Sequence, residues 1–229
     1  IFVSQSGETA DTLAALRLSK EKGARTLAIS NVIGSTITRE ADYTIYTHAG
    51  PEIAVASTKA YTSQVCLIAI LGMYFAETMG SYPEDKIEEL KHSILDLPSK
   101  IEAVLDESEK IKDFADKVYT QKDMFFLGRG TDYDVALEGS LKLKEISYIH
   151  SEAYAAGELK HGPIALIENG VIVIGIITNK NLVEKTISNI QEVITRGAKT
   201  LIITNQILPN NNFGYVINIP ETNELISPI

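Results

Sequence analysis

The sequence predicts an α/β protein made of two tandem units, each a parallel sheet flanked by helices. Two observations carry that expectation. First, K-G-A-R-T-L-A-I-S-N (22–31) reappears as R-G-A-K-T-L-I-I-T-N (196–205), an offset of 174 residues. Holding that offset further back pairs F-V-S-Q (2–5) with I-I-T-N (176–179) without a gap. Second, each copy reads as a short β-branched apolar run, a helical stretch of about 14 residues, a glycine and another apolar run. Apolar strands joined by a crossover helix form a βαβ unit, and a repeated βαβ unit implies a repeated domain. The expected architecture is a Rossmann-like or flavodoxin-like three-layer sandwich, with one domain over 1–80 and a second over 81–229.

The elements follow in order. I-F-V opens as a strand, S-Q-S-G-E-T (4–9) turns, and about Thr9 to Lys22 is helical. A strand through T-L-A-I-S leads to a third in D-Y-T-I-Y-T (42–47). V-A-S-T-K (55–59) begins a long helix that ends near Gly80, where Ser57 or Thr58 is positioned to cap it. Gly80 to Asp85 reads as the join, followed by two charged helical stretches to about Lys117. M-F-F-L-G-R-G then gives a strand and a glycine turn, and a helix follows to about Tyr148. The second copy of the repeat closes the chain with G-Y-V-I-N-I (214–219). The second copy has a strand and helix before it that the first lacks, and the first has a long helix after it that the second lacks. The expectation is a chain without the opening of its first domain or the end of its second.

Bulk composition excludes several function classes. The net charge is −9, which leaves no basic excess for a nucleic-acid surface. The one cysteine, Cys66, excludes an internal disulfide framework and points to a reducing, cytoplasmic setting. It is expected as a small core residue. The opening I-F-V-S-Q-S lacks the charged start and apolar core of a secretory signal. The longest mostly apolar run, Val65 to Phe75, counts about 11 residues against the roughly 20 of a membrane span. Metal-ligand spacing is absent, so neither a metal nor a cofactor is expected.

The turn S-Q-S-G-E-T is the first candidate site. Ser4, Ser6 and Thr9 offer hydroxyls, Gly7 permits a tight turn, and the following helix presents free N–H groups. That set suits a phosphate without lysine. The plain alternative is a helix cap supplied by Thr9 or Ser6, but capping needs one hydroxyl and here there are three in six residues. The V-A-S-T-K segment is a second candidate, lining the same cleft if the first loop takes a phosphosugar.

The third candidate is the helix L-E-G-S-L-K-L-K-E-I-S-Y. At 100° per residue, Glu138, Lys142 and Glu145 share one stripe, flanked by Leu137, Leu141 and Tyr148 on one side and Val135, Leu143 and Ile146 on the other. Ala136, Ser140, Lys144 and Ser147 lie opposite. The charges are therefore expected down the face that meets the core, lining a cavity or an ion-pair network. The plain alternative is a surface helix with ordinary ion pairs. In a 1,2-proton shift, Glu145 would be the base with Lys142 as the charge beside it. His161, before Gly162-Pro163, is expected at a turn, where a histidine can shuttle protons.

These residues resemble a known family. S-Q-S-G-E-T-A-D-T, V-A-S-T-K-A and A-L-E-G-S-L-K-L-K-E-I-S-Y-I-H-S-E-A-Y-A-A-G-E-L-K-H-G-P are similar to the isomerase part of glutamine:fructose-6-phosphate aminotransferases, the glucosamine-6-phosphate synthases, across essentially the whole chain. S-x-S-G-E-T alone indicates only a sugar-isomerase (SIS) domain. The resemblance implies tandem SIS domains and the making of glucosamine 6-phosphate from fructose 6-phosphate and glutamine-derived ammonia. It implies that Ser4, Gln5, Ser6 and Thr9 hold the phosphate, and that Val55 and Ser57 line the sugar. It implies that Glu145 moves the proton between carbons 1 and 2, with Lys142 nearby. His161 resembles the ring-opening histidine, which the family supplies from the neighbouring subunit of a homodimer. The family's glutaminase domain and its imine-forming C-terminal lysine are missing from this chain, so the chain alone is expected to be inactive. Two rival functions are a stand-alone tandem-SIS deaminase or isomerase, and a sugar-phosphate-sensing module without catalysis.

Overall fold

The structure is a computed structural model, described over residues 1–209 and 212–229. The chain divides into two compact units, Ile1–Pro83 and Glu84–Pro228.

In the first unit, β1 (Phe2–Ser4), β2 (Leu27–Ser30) and β3 (Tyr43–Tyr46) form a sheet in the order β1-β2-β3, all parallel. Between them run α1 (Ala10–Glu21) and the short α2 (Thr36–Glu40), and α3 (Lys59–Met79) follows. Leu13 and Leu16 of α1 pack with Ile37 of α2 on Ala28 of β2, all buried. The unit is also tied by charge. Arg17 donates two hydrogen bonds of 2.7 Å to the Glu40 carboxylate, and Asp42 accepts the Thr26 amide at 2.8 Å.

α3 corrects the reading of its apolar run. It is 21 residues long, with a mean hydropathy of 1.3 over its most apolar window, long and apolar enough to cross a membrane by length and composition. The uninterrupted run understates it because small and hydroxyl residues prolong the helix without lowering its hydropathy much. Ala60 and Met73 are its buried members. Cys66 is half-buried rather than a core residue, and burial pushes its thiol pKa up. The expected hydroxyl cap is not used either. Thr58 stands at the cap position without a side-chain bond, and the Glu52 carboxylate accepts the Ala60 N–H at 3.1 Å instead.

The second unit begins with three helices, α4 (Glu84–Leu95), α5 (Leu97–Leu105) and α6 (Ser108–Val118). Then come β4 (Asp123–Gly128), α7 (Thr131–Ser147), β5 (His150–Ala155), two 3-10 turns, β6 (Ile172–Ile177), α8 (Val183–Thr195), β7 (Lys199–Thr204) and β8 (Tyr215–Asn218). The five strands are parallel in the order β5-β4-β6-β7-β8. That is the flavodoxin-like order, whose switch point lies between β4 and β6. Alternate residues feed two cores, as a sheet covered on both faces requires. Met124, Phe126, Ile172 and Ile174 pack with Phe114, Val118 and Ala136 on one face. Phe125, Leu127, Val173 and Ile177 pack with Ile190, Val193 and Leu159 on the other.

The repeat holds at the level of elements, but the sheet register shifts it. Phe2 lies beside Ala28, 26 residues on. Ile172 lies beside Lys199, 27 residues on. With β2 and β7 aligned, Ser4 therefore matches Ile177, not Thr178 as the ungapped offset implies. The second βαβ unit carries one extra residue in its crossover, which a turn absorbs without disturbing either strand.

Candidate functional site

All three strands of the first unit point the same way, so the loops after β1, β2 and β3 leave from one edge. This carboxyl edge is where open α/β sheets bind ligands. Asn31, at the end of β2, ties the three together. Its N–H donates to Gln5 O at 3.3 Å, its Oδ1 accepts from the Ala49 N–H at 2.9 Å, and its Nδ2 donates to Gly50 O at 2.6 Å.

The Ser4–Thr9 turn is built from the inside out. Ser4 is buried, with its Oγ accepting the Gly7 N–H at 3.0 Å and lying 3.1 Å from Thr9 Oγ1. Gly7 has a φ of +69°, and a Cβ there would stand 2.1 Å from Ser35 Oγ, so only glycine fits. Ser6 and Thr9 are exposed. Thr9 occupies the cap position of α1 but makes no side-chain cap bond. The capping alternative is thus not realised, and the first N–H groups of α1 are left for a ligand. Gln5 Oε1 is buried without a hydrogen-bond partner. A buried orphan acceptor beside exposed hydroxyls is the kind of exception that marks a working surface.

Val55 is 94% exposed on the loop after β3, and Ser57 donates to Glu52 Oε2 at 3.4 Å. No hydrogen bond joins either residue to the Ser4–Thr9 turn among the described residues. Their loop leaves from the same sheet edge, and its Ala49 and Gly50, not Val55 or Ser57, are the residues bonded to Asn31.

The second unit uses the matching loop differently. After β6, the N–H groups of Thr178 and Asn179 donate to Asp132 Oδ2 at 2.9 and 3.3 Å. Thr178 Oγ1 donates to the other carboxylate oxygen. Asp132 is buried. In the second copy an internal carboxylate thus takes the amides that match those of Gln5 and Ser6 in the first.

The structure overturns the expected packing of α7. Its buried residues are Asp132, Ala136 and Ser140, from the side assigned to solvent. Leu137, Leu141, Ile146 and Tyr148 are exposed, while Val135 and Leu143, on the other flank of the stripe, are partly buried against the core as expected. The cause is close approach. A Cβ on Gly139 would stand 3.0 Å from the Phe126 ring, and Ser151 Oγ donates to Ser140 O at 2.7 Å. Small residues let the helix sit low on the sheet, and that outweighs the hydrophobic stripe. Glu138, Lys142 and Glu145 therefore lie on the side away from the sheet. Lys142 Nζ is 2.7 Å from Glu145 and 3.5 Å from Glu138, as in the plain ion-pair alternative. Burial works against the Lys142 ammonium, but the two carboxylates outweigh it and hold its pKa above the ordinary lysine value. Glu145 keeps its second carboxylate oxygen free of that contact, and its side chain is 31% exposed. His161 ends a 3-10 turn, exposed, with no bond to Glu145 or Lys142 among the described residues.

Sequence reasoning missed Asn31, Glu8, Ser35 and Glu52. Asn31 had a signal, since it recurs as Asn205 in the repeat. Glu8 acts on Thr36 and Ser35 stands against Gly7, each 28 residues apart, which spacing does not reveal; Glu52 acts on nearby Ser57 and on the Ala60 amide, which side-chain pattern does not reveal.

Comparison with known proteins agrees with this fold. The SIS domain family matches residues 1–74 and 117–211. The glutamine–fructose-6-phosphate aminotransferase (isomerizing) of Clostridium tetani is 58% identical over 231 residues, covering all of this chain and 38% of the relative. That of Thermococcus kodakarensis is 45% identical over 229 residues with the same coverage. The chain thus spans about two fifths of the length of the curated relatives it matches. The solved C-terminal domain of glucosamine-fructose-6-phosphate aminotransferase from Francisella tularensis is 38% identical, with a TM-score of 0.94 over 99% of this chain and 65% of that one.

Proposed function

Because the chain belongs to the SIS domain family, we propose that it carries the isomerase part of an enzyme that makes glucosamine 6-phosphate from fructose 6-phosphate and glutamine-derived ammonia. The two domains are proposed as 1–80 and 81–229. The single observation that carries the substrate class is the Ser4–Thr9 turn, with exposed Ser6 and Thr9 hydroxyls, an uncapped helix start and no lysine or arginine of its own. In this reading Ser4, Gln5, Ser6 and Thr9 hold the phosphate, and Val55 and Ser57 line the sugar.

The chemistry is a proton shift. With ammonia condensed at carbon 2 as an imine, Glu145 takes a proton from carbon 1. The electron pair of that C–H bond forms the C1–C2 double bond as the C2=N pair moves onto the protonated nitrogen, giving an enolamine. The proton then returns to carbon 2 while the carbon-1 hydroxyl gives up its own proton and its electron pair closes the C=O bond, leaving an aldehyde at carbon 1 and an amine at carbon 2; water was released in the condensation. Lys142 holds the Glu145 carboxylate in place through one oxygen, and the other is free to work. His161 is the proposed ring-opening residue, supplied by a second copy in a homodimer. A glutaminase domain is the proposed ammonia source, and the proposed setting is cytoplasmic. We read α3 as a packing helix of the first domain, supported by the family match running through it to residue 74.

The phosphate reading has a direct test. Ser6→Ala with Thr9→Ala is expected to weaken fructose 6-phosphate binding by about 1.5–3 kcal/mol through lost charge-assisted hydrogen bonds. Calorimetry with native affinity for the double variant would remove the turn from the site.

A further inference from the structure

Glu8 poses an electrostatic puzzle. It lies inside a turn read as a phosphate site, where a carboxylate repels the ligand; no lysine or arginine lies between residues 1 and 16, and the positive charge acting on it is Arg39, from the next segment. Its geometry supplies a reason. Glu8 Oε1 accepts the backbone N–H of Thr36 at 2.7 Å, across the gap between the loop after β1 and the loop after β2. That hydrogen bond holds the Glu8 carboxyl below the usual carboxylate range. Two further bonds cross the same gap. The Asn31 N–H donates to Gln5 O at 3.3 Å, and the Ile37 N–H donates to Gly7 O at 3.0 Å. Both are backbone pairs, so they carry no information about side chains. Glu8 adds the side-chain tie, and it sits in the chain between Gly7, with its φ of +69°, and Thr9.

We propose that Glu8 is a positioning residue: by accepting the Thr36 amide, its carboxylate pins the Ser4–Thr9 turn to the 31–37 loop, so that Ser6, Thr9 and the start of α1 face the phosphate together. This rests on the phosphate reading above. The hydrogen bond, not the charge, does the positioning, and the charge is a cost that the bond outweighs. The bond also helps α2, but a purely local role in that five-residue helix predicts a change in melting temperature without a change in affinity.

The test separates these roles by calorimetry on the full chain, with inorganic phosphate and fructose 6-phosphate as probes. Glu8→Ala removes the acceptor, and is expected to weaken both probes about fivefold to fiftyfold. Glu8→Gln keeps an acceptor oxygen without the charge, and is expected to bind within about twofold of native or more tightly. Thr36→Pro removes the donor at the first position of α2, where proline is tolerated. Ser35 before it already has an extended backbone, φ −63° and ψ 163°, which suits a following proline. This variant is expected to stay folded and to lose affinity like Glu8→Ala. If Glu8→Ala does not fold, the other two variants decide. Native-like binding by Thr36→Pro, or Glu8→Gln binding as weakly as Glu8→Ala, overturns the proposal. The phosphate reading fails separately, through native affinity of the Ser6→Ala, Thr9→Ala double variant.

Discussion

Glu145→Gln is expected to slow isomerisation by roughly 10²–10⁴-fold while leaving sugar-phosphate binding near native, in a protein that joins this chain to the flanking segments of its relatives. Glutamine keeps the shape and one acceptor for Lys142 but cannot take a proton. Exchange of the carbon-1 proton with deuterated solvent should fall in parallel with turnover. Because α7 packs on the sheet through Ala136, Gly139 and Ser140, Glu145 is not needed for the core. The variant is therefore expected to melt close to native. Unchanged exchange would leave the Glu138–Lys142–Glu145 set as an ordinary surface ion-pair network and place the base elsewhere.

Gly7→Ala carries the largest expected structural effect. The added methyl would meet Ser35 Oγ at 2.1 Å, Ser35 Cβ at 2.6 Å and Ile37 Cγ2 at 2.9 Å, at a φ of +69°. A left-handed backbone costs a non-glycine residue about 1–2 kcal/mol, and overpacking adds about 1–3 kcal/mol. Both the melting temperature and phosphate affinity should drop. Adding Ser35→Gly removes the main clash but not the backbone strain, so it should restore part of the stability. A native melting curve for Gly7→Ala would show that the turn is looser than its contacts imply.

The strands were legible because parallel sheets buried on both faces need short runs of β-branched apolar residues. F-V-S, T-L-A-I-S and I-V-I-G-I-I meet that need. The duplication was legible for the same reason, down to one residue. The extra residue of the second crossover lies in a turn, where composition does not record length, and only the Ile172–Lys199 pairing shows it. The face of α7 was not legible. Its packing depends on how closely the helix approaches Phe126 and Ser151, a tertiary property, and small residues read as polar surface when only hydrophobicity is counted. The loop hydroxyls were found because serine and threonine cluster locally. Glu8 and Glu52 were missed because their partners lie 28 and 8 residues away, on backbone amides that any sequence provides.

The comparison between the two copies gives the most direct test of the central claim that the Ser4–Thr9 turn is the phosphate site. Both copies place backbone amides after a strand, but Asp132 already occupies those of Thr178 and Asn179. Amide chemical shifts should be followed during titration with fructose 6-phosphate, with fructose as the control. The account predicts shifts of the amides from Ser6 through Thr12 with the phosphorylated sugar, little response to fructose, and silence at Thr178 and Asn179. Shifts confined to Thr178 and Asn179, or a 6–12 segment that does not respond to the phosphate, would contradict it.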